Sequence, residues 1–500
     1  MNALDQVSTT LRPGRGRAFR AFLRVALGTS LLLPACAEEE GAGAKSPSNP
    51  PAQEGQDQDG DGEGQAPPPK DSTPPAPLPA LQGTVIRVRG STTVGLSLAP
   101  KLALAYLAQA GASDAKLDES EKSHARVLAS GHVNGQQVTF VIETPGSGAA
   151  FQCLKDHSCD VGMSSRPISA EEVSSLASLG DMTAPSNEHI VAMDGIAIIV
   201  NRANRVTKLT MSQIGGIFSG SITRWAQVDG SGGDIHRFIR DKKSGTYETF
   251  AQFALHGRDL ATNGATVQED NQALSAAVAK DESGIGFVGL PYVNACKAVA
   301  VQDGDAAPLA PSTFSVATED YAFSRRLYLY TAEHIQQQQA AQFVDYALSD
   351  AGQKIVGDTG FVPLSVDAST PPNLPGNAPP DYVKAIQNAR RLSFDFRFRT
   401  GTSVLDGKAT ADIERLGRYL KANTTKPDII VLFGFADNHG PEAENLELSR
   451  QRARAVADEL RQRSGINPSS SEGFGSVLPV APNDTEEGRK KNRRVEVWLR

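Results

Sequence analysis

The chain has no uninterrupted apolar run of the ~18 residues that a membrane-spanning helix requires. It has only four cysteines in 500 residues, too few to build a disulfide scaffold. It lacks a basic excess: 50 Lys and Arg stand against 57 Asp and Glu, a formal charge of −7, which argues against nucleic-acid binding. Three signatures of chemistry are also missing: a Walker-type phosphate loop, a His-Glu metal helix, and a nucleophile beside its base. Their absence speaks against an enzyme and implies neither a cofactor nor a metal site. What is present is 39% apolar residues, enough for real cores, together with 30 Pro and 46 Gly that must be placed somewhere. The length suggests two to four domains.

The charge is unevenly spread. Residues 1–35 carry +4, 36–80 carry −7, 81–390 carry −7 and 391–500 carry +3. The first region has a basic stretch ending at Arg24, an apolar stretch over 25–33, and then Pro34, Ala35 and Cys36. That order is an export signal. Leu33-Pro34-Ala35-Cys36 resembles the lipobox of bacterial lipoproteins, which implies removal of residues 1–35 and lipidation of Cys36. Ala37 after the cysteine favours sorting to the inner leaflet of the outer membrane, so the expected location is the periplasm, lipid-anchored. Residues 36–81 form an acidic, Pro-rich linker too poor in large apolar residues to offset the entropy of ordering. Asp57-Gln58-Asp59-Gly60-Asp61-Gly62 opens like a calcium loop, but Pro68 stands where the bidentate Glu is needed.

The segment 82–365 repeats one pattern three times. Residues 85–88 alternate as a strand, Gly90-Ser91-Thr92-Thr93 follows, and Leu98, Leu102, Ala105 and Tyr106 then recur at helical spacing. Residues 138–143, the loop Thr144-Pro145-Gly146-Ser147-Gly148 and a helix over 149–154 repeat it. So do Phe238 to Arg240, Asp241 to Thr246, and a helix over 247–254. A strand, a small hydroxyl-rich loop and a helix together aim backbone N–H groups at an anion. Alternating strands and helices over this length predict helix-flanked α/β lobes.

These loops, with Asp160 to Arg166, Asp194-Gly195-Ile196-Ala197, residues 209–225 and Gly284 to Gly289, resemble the phosphate-binding proteins of ABC importers (PstS-like). That family is a branch of the two-lobed type II periplasmic binding-protein fold. The resemblance implies phosphate or a similar oxyanion as ligand and an ABC permease as a possible partner. It implies donors from Thr92, Thr93, Ser147, Gly148, Ser244, Gly245 and Thr246, a charged fork from Arg240, and Asp241 steadying that fork. Ser165 falls where many phosphate-specific members carry an Asp, which leaves the choice between phosphate and sulfate open. Cys153 and Cys159, six apart in an exported chain, suit a local disulfide. His157 between them also makes a conceivable metal nucleus, without a visible fourth ligand. Cys296 is left as a buried thiol.

Residues 366–387 form a second Pro-rich linker, and 388–500 a second domain. Phe394, Phe396 and Phe398 alternate with charged residues, which predicts a half-buried strand. Asp406 is placed to cap a helix whose apolar face carries Ala409, Ile413, Leu416 and Leu420. A strand over 429–433, a long helix over 446–460 and a strand over 494–499 follow. The loop Gly434 to Gly440, the helix stretch Asn445 to Ala453, and Asn492-Arg493-Arg494-Val495-Glu496 resemble the OmpA-like peptidoglycan-associating domain. That implies an α+β sheet of βαβαβ type with helices on one face. In that family, Asp437 and Arg452 would grip the amine and carboxylate of diaminopimelate in the wall peptide. The same two residues could instead pair with each other and stitch loop to helix. The family's usual Asn after the first strand falls at Gly401.

The expectation is thus a non-enzymatic envelope protein, tethered by lipid and by peptidoglycan, that presents an oxyanion-binding domain. The alternative is an envelope scaffold or sensor whose lobes recognise another ligand or a protein.

Overall fold

Strand Glu188–Val200 is the longest described strand, at 13 residues, and it organises the first domain. Its first part, through Gly195, pairs antiparallel with Ser324–Tyr330, and its last part, from Ile196, pairs with Gly284–Gly289. One strand therefore belongs to both lobes. On one side of it the sheet continues through Ser324–Tyr330, Val161–Ser164, Thr84–Gly90 and Gln136–Glu143. On the other side it continues through Gly284–Gly289, His236–Arg240 and Ala265–Gln268. Thr84–Gly90 runs parallel to both its neighbours, so the loops that follow these strands emerge at one end of the sheet.

The computed structural model describes residues 81–500, apart from 122–124, 231, 243, 269, 334–336, 370–377, 399–404 and 424–429. The expected export signal, Cys36, residues 36–80 of the expected acidic linker with its calcium-like stretch, and Gly401 lie outside the described residues. All described residues fall in one compact unit, Ser72–Arg500. No described helix is long and apolar enough to cross a membrane.

The strand-loop-helix units form where their patterns predict. Helix Ala99–Gln109 buries Leu102, Tyr106 and Leu107 against Phe140 and Phe343. In the second lobe Phe250 stacks on Phe287 at 4.0 Å, and Phe218 meets both rings edge-on. Cys153 and Cys159 are joined by a disulfide, with His157 exposed in the turn between them. Cys296 is free and buried.

The second domain is a five-stranded sheet in the order Ala368–Ser369, Arg390–Arg397, Arg494–Leu499, Ile430–Gly434, Ser470–Gly473. Helices Gly407–Asn423 and Glu442–Ser464 cover one face, with Phe394, Phe396 and Phe398 beneath them. Asp406 accepts from the Ala409 amide at 2.8 Å, which is the expected cap. The other face also carries a short helix, Pro380–Ala385, whose Tyr382 packs on Phe433, Phe435 and Trp498. The expected linker 366–387 is therefore corrected. Ala368 and Ser369 pair with the first long strand, and Pro380–Ala385 is helix, because each has apolar or backbone partners in the second domain.

A second correction concerns the alternating strand. Its charged face is not solvated: Arg391, Asp395 and Arg397 are buried along with the phenylalanines. They meet the segment of the first domain that leads back into Ser324–Tyr330. Arg391 donates to Asp320 at 2.8 Å and to both oxygens of Asp395 at 2.8 and 2.6 Å. Arg397 donates to the Thr318 carbonyl at 2.8 Å. Arg326 bridges Glu319 at 2.8 Å and Asp406, on the second domain, at 2.9 Å. Burial alone would raise Glu319, but Arg326, Arg397 and Lys408 hold its pKa down to about 2. Alternation of apolar and charged residues signals two faces; it does not say that water covers the charged one.

Candidate functional site

Gly90 ends its strand at a φ of +143°, and a side chain there would drive into the Met163 carbonyl at 2.0 Å. The turn this permits puts Thr92 and Thr93 at the start of a helical segment that runs on into Ala99–Gln109. From the second lobe, strand His236–Arg240 delivers Arg240, and Ser244 caps helix Gly245–Phe250 by accepting from the Tyr247 amide at 3.4 Å. The two segments face each other across a cleft of about 190 Å³. Thr92, Thr93, Arg240, Ser244, Gly245 and Thr246 line it. The lobes approach closely at Gly245, where a Cβ would come within 2.4 Å of Thr93 Oγ1.

Asn271 opens helix Asn271–Lys280 and bridges two of these groups. It accepts from Arg240 Nη1 at 2.9 Å and donates to Thr246 Oγ1 at 3.5 Å. Burial lowers the Arg240 pKa from its ordinary value, and the carboxylates of Asp270 and Asp241 oppose the shift. The cleft thus offers a forked cation, the side-chain hydroxyls of Thr92, Thr93, Ser244 and Thr246, and the start of a helix, a set that suits an oxyanion.

Ser147, Gly148 and Ser165 do not line this cleft; they stand beside it at the ends of neighbouring strands. Ser147 Oγ accepts from the Ser165 amide at 3.1 Å and lies 3.1 Å from Ser165 Oγ. Next to them Arg166 forks onto Glu172 at 2.8 and 2.7 Å. Sequence reasoning did not assign Asn271, nor Asp194, which lines the cleft, nor Arg325, which pairs with it. Arg325 donates to Asp194 at 3.1 Å and to Thr93 Oγ1 at 2.7 Å. A signal existed in two charged residues, Arg325 and Arg326, inside an otherwise apolar strand. Their direction could not be read from it.

The second candidate site lies in the second domain. Asp437 follows strand Ile430–Gly434, and its Oδ2 accepts from Arg493 at 2.8 Å, while Oδ1 accepts from the His439 amide at 3.0 Å. The alternative pairing of Asp437 with Arg452 is not formed; Arg493 takes that place. Arg452 is 2% exposed, lies 5.5 Å over the Phe398 ring, and has no hydrogen-bond partner for Nε and Nη1 among the described residues. Burial, then the neighbouring Arg493 charge, lower its pKa to about 10, against the pull of Asp437. It therefore stays charged at neutral pH. A buried guanidinium with open donors beside a paired carboxylate is suited to donate to a ligand carboxylate.

Comparison with known proteins gives two matches along the chain. A model of the PBP superfamily domain matches residues 101–351, and one of the OmpA family matches 397–493. Over 240 residues the chain is 31% identical to the phosphate-binding protein PstS of Staphylococcus saprophyticus, covering 46% of this chain and 73% of that protein. It is 28% identical over 247 residues to protein SphX of Synechococcus elongatus, covering 47% and 72%. A solved ABC-type phosphate transport receptor from Vibrio cholerae is 25% identical, with a TM-score of 0.42, over 55% of this chain and 99% of that one.

Proposed function

Because the chain belongs to the PBP superfamily and carries an OmpA-family domain after it, we propose that it binds inorganic phosphate in the periplasm without transforming it. The observation that carries this reading is the convergence of Thr92, Thr93, Arg240, Ser244, Gly245 and Thr246 from two lobes onto one cleft. Donors fixed in a closed, dry site hold an anion despite the acidic net charge of the domain. Ser147, Gly148 and Ser165 support the cleft from beside it. Calorimetric titration of the full chain with phosphate and with sulfate tests the reading. Heat from phosphate supports it, and silence from both anions sinks it. With no Asp at position 165, some sulfate binding is expected. An ABC permease is the natural recipient of the ligand.

The second domain is proposed to hold the protein to peptidoglycan, with Asp437 and Arg452 receiving the zwitterionic end of diaminopimelate. Arg493, paired with Asp437, completes that constellation. Asp437→Ala combined with Arg452→Ala is expected to cut retention on purified sacculi by roughly tenfold or more, at the cost of two charge-assisted contacts. Unchanged pull-down would mean that the wall is gripped elsewhere. A lipid on Cys36 would supply the other anchor, in the outer membrane, and fractionation of a Cys36→Ser chain tests it.

One observation favours the second reading, a fixed scaffold or sensor. The second domain is locked to the first through the buried ion pair Arg391–Asp320 and the half-buried pair Arg326–Asp406. A receptor docked on its own anchor is not free to carry ligand over a distance. The same calorimetry separates the readings, since a scaffold for another ligand takes up neither anion.

A further inference from the structure

Arg325 stands where three parts of the first domain meet. It is the second residue of strand Ser324–Tyr330, directly opposite Asp194 in the antiparallel register, and its side chain is 5% exposed. Nε donates to Asp194 Oδ2 at 3.1 Å, which fixes the plane of the guanidinium. Nη2 then points at the place where the lobes touch. There it donates to Thr93 Oγ1 of the first lobe at 2.7 Å and reaches the Gly245 carbonyl of the second lobe at 3.5 Å, the far end of hydrogen-bonding range.

The direction of the Thr93 contact has a chemical consequence. A guanidinium has no acceptor, and a threonine hydroxyl has one proton and two lone pairs. Where Arg325 donates to Oγ1, the hydroxyl proton must be spent elsewhere, and Thr93 lines the cleft. We propose that Arg325 is a positioning residue for the ligand: it holds the Thr93 hydroxyl as a donor into the cleft and ties the two lobes together beside it. The proposal rests on the phosphate reading and extends it. It selects ligands that present an accepting oxygen at Thr93, and it assigns the closed state a latch made by the protein itself.

The latch acts when the ligand leaves. Separating the lobes breaks the reach from Arg325 to the Gly245 carbonyl, whereas encounter with the open cleft does not need that contact. Arg325→Gln in the full chain is therefore expected to raise the dissociation rate of phosphate, followed by a labelled-phosphate chase, by roughly 10- to 100-fold. The association rate should change little. Thr93→Val is expected to give a loss of similar size. The double variant should lose no more than the worse single one, because both remove the same donor. Arg325→Lys keeps a charge for Asp194 but has no planar fork to span both partners, so it should show the same coupling with less risk to folding. Additive losses, or an unchanged dissociation rate in Arg325→Lys, overturn the proposal.

A wild-type chain that binds no phosphate would overturn the phosphate reading instead. The latch is then judged without ligand, from the distance between spin labels placed one on each lobe. Widening in Arg325→Gln supports it, and an unchanged distance overturns it.

Discussion

Arg240→Ala weakens phosphate binding by about 3–5 kcal/mol, roughly a hundredfold to several thousandfold in Kd, and leaves the folded chain intact. The reason is the asymmetry of a buried charged site. Arg240 is the cation that ends strand His236–Arg240 on the cleft, and Asn271 holds its Nη1 at 2.9 Å. Truncation leaves the phosphate charge facing hydroxyls and backbone dipoles alone. The core of that lobe, built on Phe218, Phe250 and Phe287, does not involve the guanidinium. Arg240→Lys keeps the charge but not the fork and should fall between the two. Calorimetry with melting curves on the same samples checks both halves of the expectation. An Arg240→Ala chain that titrates like wild type would place the ligand away from this residue.

Arg391→Met destabilises the folded chain by about 3–5 kcal/mol near neutral pH. This is the cost of removing one partner from a buried ionic cluster. Arg391 joins Asp320 of the first domain to Asp395 and Glu496 of the second, and the Asp395 side chain has no exposure. Without the guanidinium these carboxylates face one another in a medium that does not solvate them. Burial already raises the Asp395 pKa to about 6; Arg391 opposes the rise, and Asp320 and Glu496 add to it. The pH dependence follows from that direction. A carboxyl whose folded pKa lies above its unfolded value makes stability fall as pH rises between the two. Losing Arg391 pushes Asp395 higher still, so the deficit of the variant should be larger at about pH 8 than at about pH 5, where Asp395 can hold a proton. Urea unfolding at the two pH values measures this. A deficit independent of pH would show that Asp395 does not carry the cost.

The two expectations differ in how far the residues foretold them. Arg240 lies within a local unit of strand, hydroxyl loop and helix, and each part of such a unit is dictated within about ten residues. Thr92, Thr93, Ser244, Gly245 and Thr246 were legible for the same reason, and the cleft brings them together. Ser147, Gly148 and Ser165 belong to equally clear local patterns, yet they stand beside the cleft. The pattern specifies the loop but not which neighbour the loop faces. Asn271 and Arg325 arrive from elements 31 residues after Arg240 and 232 after Thr93, so no local window holds both partners.

In the second domain the helix cap at Asp406 and the apolar face of helix Gly407–Asn423 were legible, because propensity and periodicity are properties of the chain itself. Arg493 sat in view beside the matching residues, but its pairing with Asp437, 56 residues away, follows from how the final strand lies next to Ile430–Gly434.

The amino-acid sequence by itself determined the two folded domains, the strand-loop-helix units and the small, hydroxyl-rich character of their loops, since these depend on residue type and short spacing. The tertiary structure alone decided that Arg325 reaches Thr93, that Arg452 keeps open donors in a buried position, and that the charged face of strand Arg390–Arg397 is sealed against the first domain. Each of those depends on burial and on the meeting of distant segments. Whether a charge is solvated, paired or left open is a property of its surroundings, which exist only once the chain has folded.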